Sequence, residues 1–153
     1  MMEPTSIWLI RHALVNENAR AILYGTMDVE LCPTTLIEQA PMYRALAERL
    51  PRPATWVVTP LSRTRRTAEA IFAAGYPPQP VTVEPGLIEQ TLGEWEGLAH
   101  ADLPARLTLP AHAFWPLGGQ ERPPGVESGA DMIESVSERA WSGLQPNTRG
   151  RTW

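Results

Sequence analysis

The sequence predicts an α/β fold, a three-layer sandwich in which helices flank a mostly parallel sheet. Short apolar runs alternate along the chain with segments of helical periodicity, and that alternation is typical of α/β domains. The first run, at residues 7–10, is apolar at every position rather than at every second one. Continuous runs of this kind favour a strand that is covered on both faces, as in a parallel sheet.

A helix is predicted over residues 35–50, the first long segment of helical periodicity. Thr35 and Glu38 have the spacing of a capping box, and apolar side chains recur every three or four positions after them. Pro41 falls inside this segment, where it removes a helical hydrogen bond at a cost of about 3 kcal/mol. We therefore expect a kink or a late helix start there.

The middle of the chain predicts two more strands with a helix between them. Residues 54–60 have the composition of a buried strand, and residues 61–75 form a helical pattern closed by Gly75. A third, short strand is predicted at residues 81–83. The segment 84–127 has the composition of a loop region with weak helical pieces.

The last predicted helix follows the loop region. Ser128 and Asp131 have capping-box spacing at its start. Apolar residues at helical intervals then predict one buried stripe, formed by Met132, Ile133, Val136, Ala140 and Leu144.

Composition limits the class of protein. A chain of 153 residues is enough for one domain, spanning 1–153, and 43% hydrophobic with 20% charged residues is typical of a soluble globular protein. A net charge of -4 disfavours a nucleic-acid partner, because such binding depends on neutralising phosphates.

A single cysteine, Cys32, fits a reducing compartment and lacks partners at zinc-ligand spacing. No apolar run is long enough for a membrane span, so we expect a cytoplasmic protein without a membrane partner. The oligomeric state is open.

Side chains that could bind an anion follow two of the predicted strands. Arg11 and His12 end the first strand, while Ser62 and Arg63 begin the helix after the second. Ligands bind beyond the carboxyl ends of parallel strands, and a helix start offers free N–H groups to an anion. Because a guanidinium group matches phosphate oxygens two at a time, the two arginines predict a phosphate pocket.

The same pocket contains candidates for a chemical step. A neutral His12 could attack phosphorus, and Glu89, after the third strand, could give a proton to the leaving group if burial or a nearby phosphate raises its pKa. Each side chain alone also fits a simpler role. Arg11 and His12 could form a strand-end ion pair, residues 62–66 a solvated helix face, and Glu89 a surface carboxylate. Their joint occurrence after successive strands favours the site.

Several motifs resemble those of a known family. "LIRHALVNEN" is similar to the signature of the histidine phosphatase superfamily, also called phosphoglycerate mutase-like, in which Arg-His, usually followed by Gly, ends the first strand. "LYGTMDVELCPT" resembles its glycine-and-aspartate loop, and "TPLSRTRRTAEAI" its segment with a second phosphate-binding arginine. "LIEQTLGEWEG" resembles its acid-bearing loop and "PGVES" the turn before a late helix. The resemblance runs in order from about residue 6 to the end of the chain.

This resemblance implies a role for each matching residue. His12 would be the phosphorylated nucleophile and Glu89 the general acid and later the base. The phosphoryl group would be held by Arg11, Arg63 and Asn18, with Glu127 and Ser62 in support. The resemblance implies no metal or organic cofactor, and a small phosphorylated metabolite as the substrate. It favours a hydrolase over a mutase.

The sequence departs from the family in one important respect. Family members carry a second histidine at the end of a late strand, in an apolar run followed by His-Gly, and this sequence has no such run. "GRTW" at residues 150–153 resembles the approach to it, so we expect a domain that is truncated at the C-terminus, with an uncovered apolar face. His100 and His112 lie in the loop region and are not expected to substitute. The readings are an active metal-independent phosphatase, an inactive domain that binds a phosphate ligand or a partner, or a truncated fragment.

Overall fold

The computed structural model of the protein describes residues 6–110, 112–114 and 117–144. Its helices and strands follow one another as α1 (Glu17–Arg20), α2 (Pro33–Glu38), α3 (Ala40–Arg49), β1 (Trp56–Val58), α4 (Ser62–Ala73), β2 (Val81–Val83) and α5 (Gly129–Leu144). The segment "GRTW", on which the expected truncation depends, lies outside the described residues. No helix within the described ranges is both long and apolar enough to cross a membrane.

The strands β1 and β2 pair in parallel, with Val57 opposite Thr82, and α4 connects them. This is a strand, helix, strand unit, so the α/β prediction is confirmed at its centre. The predicted strand at 54–60 is shorter in the structure, and the one at 81–83 has the predicted bounds.

The predicted strand at residues 7–10 is wrong for the described structure. These four residues have no regular secondary structure, and all four side chains are exposed, Leu9 by 93%. A strand needs a hydrogen-bonded neighbour, and among the described residues β1 pairs only with β2. Apolar composition favours burial but does not supply the neighbour.

The helix predicted over 35–50 is divided into α2 and α3 at Gln39, two residues before Pro41. Of the two expected outcomes, a kink or a late start, the structure shows an interruption of the helix just before Pro41. The capping box is wrong, because α2 already begins at Pro33, whose ring presets the backbone angle of a first helical residue. Thr35 instead donates its hydroxyl to Cys32 Sγ at 3.2 Å.

Helix α4 ends at Ala73, and Gly75 follows with a φ of +121°, so the predicted closure by Gly75 is confirmed. The last turn is completed by hydrogen bonds from Gly75 N to Phe72 O and from Tyr76 N to Ile71 O. Helices α3 and α4 pack against each other through one buried apolar cluster, formed by Ala47, Leu50, Ile71 and Tyr76. This packing fixes the position of α4.

The segment 84–127 is loop-like, as predicted, with three short 3₁₀ helices at Pro85–Leu87, Gly93–Trp95 and His100–Ala105. It is not loosely attached. Trp95 is buried in a second apolar cluster, together with Leu23, Leu92 and Leu103. The loop region is thereby held against residues 22–25.

At the start of α5 the capping box is confirmed. The Ser128 hydroxyl accepts from Asp131 N at 3.2 Å, and the Asp131 carboxylate accepts from Ser128 N at 2.9 Å. The apolar stripe is only partly confirmed, because Met132 and Val136 are partly buried while Ile133 is 74% exposed. Among the described elements, the 3₁₀ helix Pro85–Leu87 packs against α5 and leaves Ile133 exposed. The side chains of Ala140 and Leu144 lie outside the described residues.

Candidate active site

Arg63 lies in the first turn of α4 and is completely buried, with 0% of its surface exposed. Its two terminal nitrogens donate to backbone carbonyls, Nη1 to Met27 and Nη2 to Gly25, each at 2.8 Å. The guanidinium carbon lies 5.2 Å from the centre of the Tyr24 ring. The loop 24–27 therefore holds the side chain on two edges and one face, as a cradle.

The charge of Arg63 is not balanced by the cradle. Within the described part of the chain no carboxylate forms an ion pair with it, and its buried Nε–H has no hydrogen-bond acceptor. A buried cation without a counterion is costly, and so is a buried donor without an acceptor. An anion at this position would satisfy both, and phosphate has the geometry that guanidinium groups bind best.

His12 is partly buried, and its tautomer follows from its contacts. Nδ1 lies 2.7 Å from the backbone carbonyl of Ala13. Because a carbonyl oxygen only accepts hydrogen bonds, Nδ1 must carry the proton. In the neutral ring, Nε2 then holds the free lone pair and is the nucleophilic atom.

The pKa of His12 is lowered from its usual value of 6.5, first because burial disfavours the charged ring. The hydrogen bond to Ala13 raises it, the charges of Arg63 and Arg11 lower it, and that of Glu89 raises it. The net effect leaves the ring neutral at pH 7, as a nucleophile requires. The charges of three other predicted site residues, Arg11, Arg63 and Glu89, therefore all affect the pKa of His12.

Thr67 ties the His12 segment to α4, and sequence reasoning missed it. Its hydroxyl accepts from Ala13 N at 2.8 Å and donates to the carbonyl of Arg63 at 2.7 Å. Thr67 lies one helical turn after Arg63, so both face the same way. The spacing of four residues was a usable signal, although nothing in the sequence pointed to Ala13 as its partner.

Tyr24 is a second missed residue. Its ring contacts His12 edge-on, with centroids 6.4 Å apart, and also lies under the guanidinium group of Arg63. It joins the two sides of the site through an apolar surface. No pattern in the sequence distinguishes it from a core tyrosine.

The sequence predicts that the free N–H groups at the start of α4 bind an anionic ligand, but in the structure a carboxylate of the chain itself lies there. Ser62 donates both its N–H and its hydroxyl to Oδ1 of Asp28, at 2.8 and 2.7 Å. The carboxylate of Asp28 therefore occupies the favourable position at this helix terminus. The Ser62 N–H is not available to phosphate, and the pair instead fastens the cradle loop to α4.

Three further predicted residues form no hydrogen bond with His12 or with Arg63 in the described structure. Asn18 is exposed on the short helix α1, where Asn16 provides the cap. Glu89 is exposed, and its carboxylate accepts a hydrogen bond from Gln90 N at 3.1 Å. Gln90 also donates through its side chain to the carbonyl of Glu127 at 3.1 Å, which joins Glu127 to the loop that carries Glu89.

His100 and His112 are both exposed and lie in the loop region. His100 begins a 3₁₀ helix, and Nδ1 of His112 accepts from Phe114 N at 3.1 Å. No described contact brings either ring to His12. The described part of the chain also contains no group of three His, Cys, Asp or Glu side chains that could hold a metal ion.

Comparison with known proteins identifies the family. The family model of the histidine phosphatase superfamily (branch 1) matches residues 7–152. The protein belongs to this superfamily. A glucosyl-3-phosphoglycerate phosphatase from Mycolicibacterium vanbaalenii is 30% identical in an alignment of 120 positions that covers 74% of this chain and 52% of the relative. This histidine phosphatase chain therefore spans about half the length of the curated relative that it matches.

Solved structures agree with this assignment. The structure of a mycobacterial glucosyl-3-phosphoglycerate phosphatase complexed with VO3 is 25% identical, with a TM-score of 0.67 over 88% of this chain and 66% of that one. YhfR of Bacillus stearothermophilus is 22% identical, with a TM-score of 0.68 over 91% and 67%, and shows the fold alone. The protein thus has the α/β fold of the histidine phosphatases.

Proposed function

We propose that the protein hydrolyses a phosphomonoester of a small metabolite without a metal ion, through a phosphohistidine on His12. One observation carries this proposal. Among the described residues, Arg63 is a fully buried cation whose Nε–H has no acceptor, and its charge lowers the pKa of His12, which favours the neutral ring with its lone pair on Nε2. A histidine and two arginines that act on one another are a suitable set for phosphoryl transfer.

The proposed reaction has two steps. Nε2 of His12 forms a bond to phosphorus while the bond between phosphorus and the ester oxygen breaks, and Glu89 gives its proton to the leaving oxygen. Glu89 then takes a proton from water as that water attacks phosphorus, which breaks the P–N bond and releases inorganic phosphate. Arg11 and Arg63 stabilise the charge on the transferred group in both steps.

For the substrate, we propose glucosyl-3-phosphoglycerate as the first compound to assay, because the curated relative carries that name. Asn18 is proposed as a further phosphate contact, and Glu127 and Ser62 as supporting residues. Ser62 would act through Asp28 and the cradle, and Glu127 through Gln90.

A second candidate function is the binding of a phosphate ligand without turnover. It is favoured by the exposed position of His100, which begins a 3₁₀ helix in the loop region and forms no hydrogen bond with His12 among the described residues. The two functions share the anion pocket and differ only in the chemical step.

Release of inorganic phosphate from p-nitrophenyl phosphate and glucosyl-3-phosphoglycerate tests the proposal, together with calorimetric binding of phosphate and vanadate. We expect His12→Ala to abolish turnover and Arg63→Met to lower kcat by about 10²–10³-fold. Arg65→Met, an exposed position on the same helix, is the matched control and should retain both properties. Unchanged turnover in His12→Ala would remove the nucleophile. Phosphate binding without turnover would select the second function.

A further inference from the structure

Glu96 takes no part in the proposed reaction, but its carboxylate accepts an unusually large number of hydrogen bonds. Its Oε1 accepts from Thr26 twice, from the N–H at 2.9 Å and from the hydroxyl at 2.7 Å. It also accepts from the Thr91 hydroxyl and from Leu92 N, each at 3.2 Å. One carboxylate oxygen thus gathers four donors from two separate loops.

One of these loops forms the cradle of Arg63, and the other carries Glu89. Thr26 lies between Gly25 and Met27, whose carbonyls bind the guanidinium group of Arg63. Thr91 and Leu92 lie two and three positions after Glu89 in the chain. Glu96 is therefore the described group that hydrogen-bonds both to the arginine cradle and to the acid-bearing loop.

The fit around this oxygen is close. A Cβ on Gly25 would lie 2.6 Å from Oε1 of Glu96 and 3.1 Å from the carbonyl of Gln90. Gly25 also has a φ of +36°, a conformation that disfavours other residues. The cradle backbone can approach the carboxylate only because position 25 has no side chain.

Glu96 is ionised at neutral pH. Burial would raise its pKa, but the hydrogen bonds from Thr26, Leu92 and Thr91 outweigh burial, and the net pKa is lowered. Its stabilising effect is therefore fully present at pH 7 and is lost only as pH falls through the lowered pKa, below the usual 4.5.

We propose that Glu96 is a positioning residue that sets the register between the Arg63 cradle and the Glu89 loop. The proposal rests on the proposed function and deepens it, since Glu96 would act through the two loops and not on the substrate. Small displacements matter in such sites, because a misplacement of about 1 Å can cost about 10²-fold in rate.

Four variants test the two sides of this link separately. Thr91→Val removes one donor from the acid side, so kcat should fall by about tenfold while the Kd for inorganic phosphate is unchanged. Thr26→Val removes one donor from the cradle side, so the Kd for phosphate should rise by about tenfold. Glu96→Gln should show both effects. Glu94→Gln, an exposed neighbour, is the control and should show neither.

The outcomes separate this proposal from the proposed function. If Glu96→Gln lowers only the melting temperature, with kcat and Kd equal to those of Glu94→Gln, Glu96 is structural and the proposal is wrong. If the parent protein neither turns over substrate nor binds phosphate, the proposed function fails instead. In that case the amide hydrogen exchange of Thr26 and Leu92 still decides: faster exchange of both in Glu96→Gln than in Glu94→Gln supports the link, and equal exchange overturns it.

Discussion

At the scale of single residues, the reactivity of His12 depends on what surrounds one ring. A carbonyl at 2.7 Å keeps the proton on Nδ1, while burial and two cationic side chains lower the pKa. Because the folded pKa is below 6.5, the unfolded chain binds more protons at mildly acidic pH. The contribution of His12 to stability therefore falls as pH decreases from 6.5 towards the lowered pKa.

The electrostatic contact between His12 and its neighbours predicts two shifts of opposite sign. Arg11→Gln removes a charge that lowers the pKa of His12 and should raise it, while Glu89→Gln removes a charge that raises the pKa and should lower it. Both positions are exposed, so the fold should survive. NMR titration of the His12 ring protons measures the shifts. Arg44→Gln on α3 is the control, and two unshifted midpoints would show that the charges do not converge.

At the scale of elements, α4 positions most of the site. It carries Arg63 and Thr67 on one face, and Ser62 at its start binds Asp28 of the cradle loop. Its place in the molecule is set by β1 before it and by the packing against α3. Local signals such as the end at Gly75 are sufficient to predict the helix. The partners that it holds come from loops about 35 to 55 residues away in the chain.

Replacing serine by alanine should affect stability differently at the start of α5 and inside the helix. Ser128→Ala removes the hydroxyl that accepts from Asp131 N and should lower the free energy of unfolding by about 1 kcal/mol. Ser137→Ala, on an exposed face inside the same helix, should be neutral or raise it by a few tenths of a kcal/mol, because alanine is the better helix former. Urea unfolding of both variants measures the difference, and equal effects would contradict the cap.

At the scale of the whole molecule, the family match covers more of the chain than the described sheet does. The superfamily match extends from residue 7 to residue 152, while the described sheet consists of β1 and β2. Residues 7–10 lead directly into Arg11 and His12 but pair with neither described strand. Instead, Thr67 holds the neighbouring Ala13 through its backbone N–H, and the ring of Tyr24 contacts the ring of His12.

The exposure of residues 7–10 can be tested by stability. Leu9→Lys should change the free energy of unfolding by no more than about 0.5 kcal/mol, because the side chain is 93% exposed. Leu31→Lys is the buried counterpart, at 5% exposure, and should cost about 3 kcal/mol or more. Chemical unfolding of the two variants measures this contrast. A large loss in Leu9→Lys would favour the buried strand that the sequence predicts.

Prediction from sequence succeeded where the signal was local. The strand at 81–83, the closure at Gly75 and the break before Pro41 each depend on a few neighbouring residues, and all three are confirmed. It failed for the strand at 7–10 and for the cap at Thr35. The first needed a partner strand, and the second competed with a stronger start signal at Pro33.

By itself, the sequence determined the class of fold, the family and the residue types that could bind and transfer a phosphoryl group, because periodicity and motifs are properties of neighbouring positions. Only the tertiary structure decided that Arg63 is buried with no counterion among the described residues, that Asp28 occupies the start of α4 and that Glu96 joins two loops. The reason is physical. These contacts use backbone carbonyls and N–H groups, which every residue provides, so no side-chain pattern can name them before the chain has folded.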